Sequence, residues 1–195
     1  ADLSVDHSWD TMGMRATGSH TIVLDGVPAA PDSFGGNFRQ GLVGEAEWAA
    51  MLFGGVYLGL AEKAYAEARE ILRGKHLGAT LGAQDTDVRQ IGYVQHALGK
   101  MRTDLDVAAR VLEATGQIAI DGRDQDWPVT ARKAQWDIVK VVVTEAAMGV
   151  TDQACRLVGG AAFRRGHVLE RLFRDARAGF LHSFTTDQLL SLIHI

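Results

Sequence analysis

With 195 residues, 47% of them apolar and 23% charged, the chain is long enough to bury a sizeable core without disulfides or metal. Its 20 basic and 24 acidic side chains give a formal charge of −4, and bases sit beside acids, as in Glu67, Arg69, Glu70 and Arg73, which excludes the clustered basic stripe of a nucleic-acid binder. No apolar run approaches the ~20 residues of a membrane span and the single cysteine, Cys155, excludes an internal disulfide, so a soluble, globular, cytoplasmic protein is expected.

Residues 1–36 read as the end of a β region. Thr21-Ile22-Val23-Leu24 is a short β-branched strand signal closed by the turn dipeptide Asp25-Gly26, and Val27-Pro28 leads into a connection through Gly35-Gly36. Its partner strands are expected to lie outside the chain, because two or three strands cannot bury both faces alone.

Residues 37–195 read as a helical domain. A first long helix begins near Leu42 and ends near Arg73-Gly74, with neighbouring stripes Trp48, Leu52, Gly55, Gly59 and Met51, Leu58, Tyr65, Leu72. A connection through Gly74, Gly78 and Gly82 follows, with Asp85 or Asp87 as N-cap of the next helix. That second helix carries Ile91, Val94, Leu98, Met101, Leu105, Ala108 and Leu112 at alternating spacings of three and four, the seam of a left-handed bundle, and stops before Asp121-Gly122. The third starts at Pro128 and carries Ala134, Ile138, Val141, Val142, Ala146 and Val150. Val139 and Val143 widen its apolar surface, so it is expected to be the most buried helix, ended by Gly159-Gly160. A charged amphipathic segment runs from His167 to about Phe180, and a last helix begins near Thr185 or Thr186. The fold class is therefore mainly α: an antiparallel four-helix bundle preceded by the last strands of a β domain.

Among the 22 glycines, Gly54, Gly55, Gly59, Gly92, Gly99 and Gly149 fall inside helical patterns. Each costs about 1 kcal/mol relative to Ala, so close approach of a helix backbone or a ligand is expected to offset it.

Two segments carry a family pattern. Trp9-Asp10-Thr11-Met12-Gly13-Met14-Arg15-Ala16-Thr17-Gly18-Ser19, followed by Asp25-Gly26-Val27-Pro28, resembles the W-x-x-x-G-M-R-x-T-x-S run and "D-V-x-V-P" at the end of the acyl-CoA dehydrogenase middle β domain. Arg156-Leu157-Val158-Gly159-Gly160-Ala161-Ala162-Phe163 and Leu169-Glu170-Arg171-Leu172-Phe173-Arg174-Asp175-Ala176-Arg177 resemble that family's G-G-x-x-F … E-R-L-x-R-D-A block. The resemblance implies an FAD enzyme of three domains. This chain would hold the end of the second and nearly all of the third, truncated at both ends, with most of the isoalloxazine cradle upstream. It also implies a homodimer or homotetramer joined through the C-terminal domain, which reaches the neighbour's FAD. The last six residues, Leu190 to Ile195, resemble the translation of a sequencing-library adapter and are expected to be foreign.

The leading functional expectation is α,β-dehydrogenation of an acyl-CoA or related small-molecule thioester. That reaction needs a base for the α-proton, which the family commonly supplies as a Glu just after the R-D-A block. Here the loop reads Leu181-His182-Ser183-Phe184-Thr185, and Ser183 stands where the Glu is expected. Glu45 and Glu47, on the first helix, lie near an alternative Glu position but out of register; a first-turn carboxylate favouring the helix N-terminus explains them better. His182 matches a histidine that related flavin monooxygenases carry near the flavin, and an imidazole with an ordinary pKa near 6.5 can manage a proton there. A packing or solvated loop histidine is the other reading. The alternative function is thus a monooxygenase dependent on reduced flavin, with FMN as cofactor, and a third is a non-catalytic oligomerisation module.

The same resemblance lays Gly159-Gly160 against the neighbour's FAD, with Arg156 as a polar contact, and gives Thr185 a flavin contact and Arg73 a pyrophosphate contact. A helix C-cap, a helix N-cap for Thr185 and a surface helix-end arginine are the alternatives. The Arg171, Arg174, Asp175, Arg177 cluster reads as a self-neutralising, solvated helix face. His7, His20, His76, His96 and His167 show no metal-ligand spacing with one another or with Cys155, and no metal is expected.

Overall fold

A computed structural model describes residues 2–28, 30, 38–77, 86–182 and 185–193, with the backbone alone at 38–48 and 192. The side chains of Glu45, Glu47 and Trp48, and residues Asp85, Ser183, Phe184 and His194, lie outside the described set. Among the described residues five α-helices follow a short hairpin: α1 (Phe38–Leu72), α2 (Gly92–Ile120), α3 (Val129–Val158), α4 (Val168–Ala176) and α5 (Thr186–Ile193). Among the described residues no helix is long and apolar enough to cross a membrane.

The first four helices alternate in direction. Early α1 faces late α2, where Met51 meets Gly116 and Gly54 meets Leu112, and Leu72 at the far end packs with Val94. α3 returns parallel to α1, with Val139 beside Gly54 and Val158 beside Lys75. α4 then descends α3, from Leu169 at Cys155 towards Gly179 at Thr144. The α1–α3 contact is the most extensive. As expected, α3 is the most buried helix, and α2 buries Val94, Met101, Leu105 and Ala108 of its expected seam.

Four expectations are corrected. The buried face of α1 is Tyr57, Ala61, Ala64, Ala68 and Leu72, whereas Leu52, Gly55 and Gly59 of the first expected stripe are exposed. Small side chains let α1 lie close on α3, so the larger apolar groups do not mark the packed face. Gly54 does meet a neighbour, since an added Cβ would stand 3.0 Å from Leu112 Cδ1, but at Gly55, Gly59, Gly92, Gly99 and Gly149 it would meet nothing within 4 Å. The strand at Thr21 also has a partner within the chain: β1 (Asp2–Asp6) pairs antiparallel with β2 (Thr21–Asp25), Ser4 opposite Val23. Five residues of Asp-Leu-Ser-Val-Asp are too short to announce a strand, and both strands are exposed along their whole length, as two strands alone must be. A two-residue ladder, β3 (His76–Leu77) with β4 (Thr86–Asp87), spans the glycine-rich link. Asp87 caps the 3-10 turn Val88–Gln90 that leads into α2, accepting from Arg89 N–H, and does not cap α2 itself.

The two motif segments touch, through a pair of residues 161 positions apart. Met14 N–H donates to Asp175 Oδ1 at 2.7 Å, Arg174 donates to the Met12 carbonyl, and Trp9 Nε1 donates to the Met14 carbonyl at 3.1 Å. Arg174 also pairs with Glu170, and the Arg177 guanidinium lies 4.3 Å from the Phe173 ring centroid. Arg174 and Asp175 are therefore a docking pair for the 12–14 loop rather than part of a solvated face.

Candidate active site

Gly179 sets the position of the loop after α4. A Cβ there would stand 2.8 Å from Thr144 Cγ2 and 3.2 Å from Tyr57 Cε1, so only a glycine lets the 3-10 turn Arg177–Phe180 press against α1 and α3. Three residues later this places His182 half-buried between two α1 side chains. Tyr57 Oη lies 2.6 Å from His182 Nδ1, and the Phe53 ring centroid lies 5.1 Å from that of the imidazole. From α3, the Lys140 ammonium donates to the His182 carbonyl.

The electrostatics of this cluster favour neutral rings. Burial, with the Asp175 carboxylate adding to it, pushes the Tyr57 phenol well above its ordinary range. Burial lowers His182, and the neighbouring Lys140 charge lowers it further. Lys140 is itself lowered by burial, against a smaller opposing effect of Asp137. Donation by the protonated phenol to Nδ1 would leave the imidazole's own proton on Nε2.

The remaining expected residues divide by position. Thr185 caps α5: its Oγ1 accepts from Gln188 N–H at 3.3 Å while its own N–H donates to Gln188 Oε1 at 2.9 Å, a reciprocal capping box. Gly159, Gly160, Arg156 and Arg73 lie at the opposite end of the bundle. Gly159 closes α3 with φ +80°, a conformation that favours glycine, and donates its N–H to the Cys155 carbonyl. Lys75 Nζ donates to the Val158 carbonyl at 3.0 Å and ties the Arg73 end of α1 to the same place. Lys140 and Gly159 are 19 positions apart on α3, about 28 Å at the rise of an α-helix. One subunit therefore does not bring His182 and the paired glycines into a single cleft.

The far end suits an anionic cofactor group. A Cβ on Gly159 or Gly160 would meet nothing within 4 Å, so backbone there is open to approach. Arg73 and Arg156 are exposed and pair at the surface with Glu70 at 2.9 Å and Asp152 at 2.6 Å, contacts that a phosphate can displace at small cost. A flavin phosphate or pyrophosphate thus fits the donors present.

Tyr57 and Lys140 are the site residues that the sequence reading missed. Lys140 had a signal: it interrupts the apolar run Ile138-Val139-Lys140-Val141-Val142-Val143, where a buried cation needs a partner. Tyr57 had none, because neither stripe drawn on α1 contained it.

A family model described as "Acyl-CoA dehydrogenase, C-terminal domain" matches residues 51–187. The amino sugar nitrososynthase DnmZ of Streptomyces peucetius is 35% identical over 192 residues, covering 93% of this chain and 45% of its own. The putative acyl-CoA dehydrogenase YdbM of Bacillus subtilis is 31% identical over 195 residues, covering 98% of this chain and 48% of its own. Among solved structures, FMN-bound TdsC from Paenibacillus sp. A11-2, a dibenzothiophene monooxygenase, superposes with a TM-score of 0.83 at 22% identity, over 100% of this chain and 52% of that one. The chain spans about half the length of the curated relatives it matches.

Proposed function

The chain belongs to the acyl-CoA dehydrogenase family, of which it carries the C-terminal helical domain, and from that premise we propose that the whole protein is a flavin-dependent monooxygenase with His182 as its proton-handling residue. The family includes flavin-dependent monooxygenases and nitrososynthases as well as dehydrogenases, all oxidoreductases. One observation carries the proposal: after the R-D-A block the sequence has Ser183 where dehydrogenation calls for a carboxylate, and the residue before it, His182, holds its imidazole against Tyr57 and its carbonyl against Lys140.

A bound reduced flavin would supply two electrons to dioxygen, and the substrate's own oxidation the other two, as one oxygen atom passes to the substrate and the other leaves as water. His182 holds a proton at Nε2 for that process and, being neutral, does not place a second charge in the site. Phe53 and Tyr57 shield the ring from water. The substrate class is a small molecule with an oxidisable heteroatom or ring, in line with what DnmZ and TdsC are named for. The cofactor is FMN or FAD, its phosphate end met by Arg73, Arg156, Gly159 and Gly160. Because those four lie at the other end of the bundle from His182, they serve a second flavin, the neighbour's, in a homodimer or homotetramer. Phe163, 92% exposed just beyond the paired glycines, and the exposed Leu52 and Val56 on α1 are apolar surface that such an assembly would cover. Thr185 contacts the flavin in addition to capping α5.

A second reading, dehydrogenation of an acyl thioester, is favoured by the similarity to YdbM. The full-length protein separates the two. As a monooxygenase it consumes oxygen with substrate only when a flavin reductase and NADH supply reduced flavin, and a panel of saturated acyl-CoAs leaves its oxidised flavin unbleached without oxygen. Anaerobic bleaching by any of them overturns the proposal in favour of dehydrogenation.

A further inference from the structure

Two polar side chains converge on His182 at places where apolar ones would pack at lower cost. Tyr57 is fully buried on the alanine-lined face of α1, where a Phe would fill the same space without a hydroxyl to satisfy. Lys140 is 6% exposed within the valine run of α3, and taking an ammonium out of water is costly unless it finds strong acceptors. Each meets a different part of the same residue: Tyr57 the ring at Nδ1, Lys140 the main-chain carbonyl.

We infer that Tyr57 and Lys140 are positioning residues that clamp His182 at two points, the phenol selecting the tautomer with its proton on Nε2 and the ammonium fixing the loop that carries the ring. This inference rests on the reading of His182 given above. A ring held only by the Phe53 contact can turn about χ2 and exchange Nδ1 for Nε2. Held by Tyr57 as well, it presents one nitrogen, always protonated, on the side away from α1. The charged and titratable groups that bear on the clamp come from three elements: Tyr57 on α1, Lys140 and Asp137 on α3, and Asp175 at the end of α4. Asp175 raises Tyr57 and so helps keep the phenol a donor; Lys140 lowers His182 and so helps keep the ring an acceptor. Gly179 completes the device by letting the turn approach both helices.

The test uses the full-length protein with ¹⁵N-labelled histidine. In the wild type at neutral pH, His182 is expected to show a pyridine-type shift at Nδ1 and a pyrrole-type shift at Nε2. Tyr57→Phe should turn this into an averaged pair, as the two tautomers mix, and lower turnover about tenfold. Lys140→Met, close in length and without the charge, should raise the His182 titration midpoint. If Tyr57→Phe keeps the wild-type shifts and Lys140→Met leaves the midpoint unmoved, there is no clamp. If the shifts average and the midpoint moves while turnover stays at the wild-type value, the clamp stands and the proton-handling role of His182 fails.

Discussion

His182→Ala in the full-length protein is expected to lower turnover by about 10²–10⁴-fold, the range that a positioned general acid or base contributes, with flavin affinity near the wild-type value. The two effects separate because the residues proposed to hold the cofactor phosphate lie at the other end of the bundle, beyond about 19 positions of α3. The substitution also leaves the Tyr57 hydroxyl in a buried site without Nδ1, at a cost of about 1–3 kcal/mol to folding. Pairing it with Tyr57→Phe removes that burden, so a turnover defect that persists in the double variant belongs to the missing imidazole. Steady-state turnover beside a flavin titration makes the measurement. Unchanged turnover would remove His182 from the chemistry.

Gly13→Ala is expected to destabilise the protein by about 1–3 kcal/mol, as overpacking of a closed contact does. A Cβ at Gly13 would lie 2.2 Å from the Arg174 carbonyl oxygen and 2.6 Å from its carbon, and both are backbone in the last turn of α4, which has no rotamer to yield. The loop must lift instead. Lifting it breaks the Met14 N–H bond to Asp175 and the Arg174 bond to the Met12 carbonyl, and it frees Met14 from the positive φ of 53° that those bonds hold. The expected loss in the melting of the helical domain is roughly 2–4 °C for each kcal/mol. The change also reaches the site, because Asp175 loses its anchor and Asp175 is one of the groups that raise Tyr57. A melting curve that overlays the wild type would mean that the loop does not dock on α4 as described.

How far the sequence leads differs from helix to helix for a physical reason. α2 packs through large residues on one face, so Val94, Met101 and Leu105 at spacings of three and four declare its buried side directly. α1 packs through Ala61, Ala64 and Ala68, and small side chains allow close approach without standing out as hydrophobic; of the drawn stripes, Leu72 reaches the buried face, Met51, Leu58 and Tyr65 pack at its edge and Leu52 is exposed. At the site, His182 could be found by its place after the R-D-A block, but its partners come from 42 and 125 residues away. Nothing local marks Tyr57, since its value lies in a contact made only when the Gly179 turn closes. Likewise the two motif segments were each visible, while the bond that joins Met14 to Asp175 belongs to the fold alone.

The most direct test of the central claim is a structure of the full-length protein with its flavin bound. The account predicts His182 Nε2 within direct hydrogen-bond reach, or one water, of the flavin or the substrate beside it, with Nδ1 still on Tyr57. A flavin seated away from the His182 loop, with that ring enclosed and Nε2 facing only protein, would contradict it.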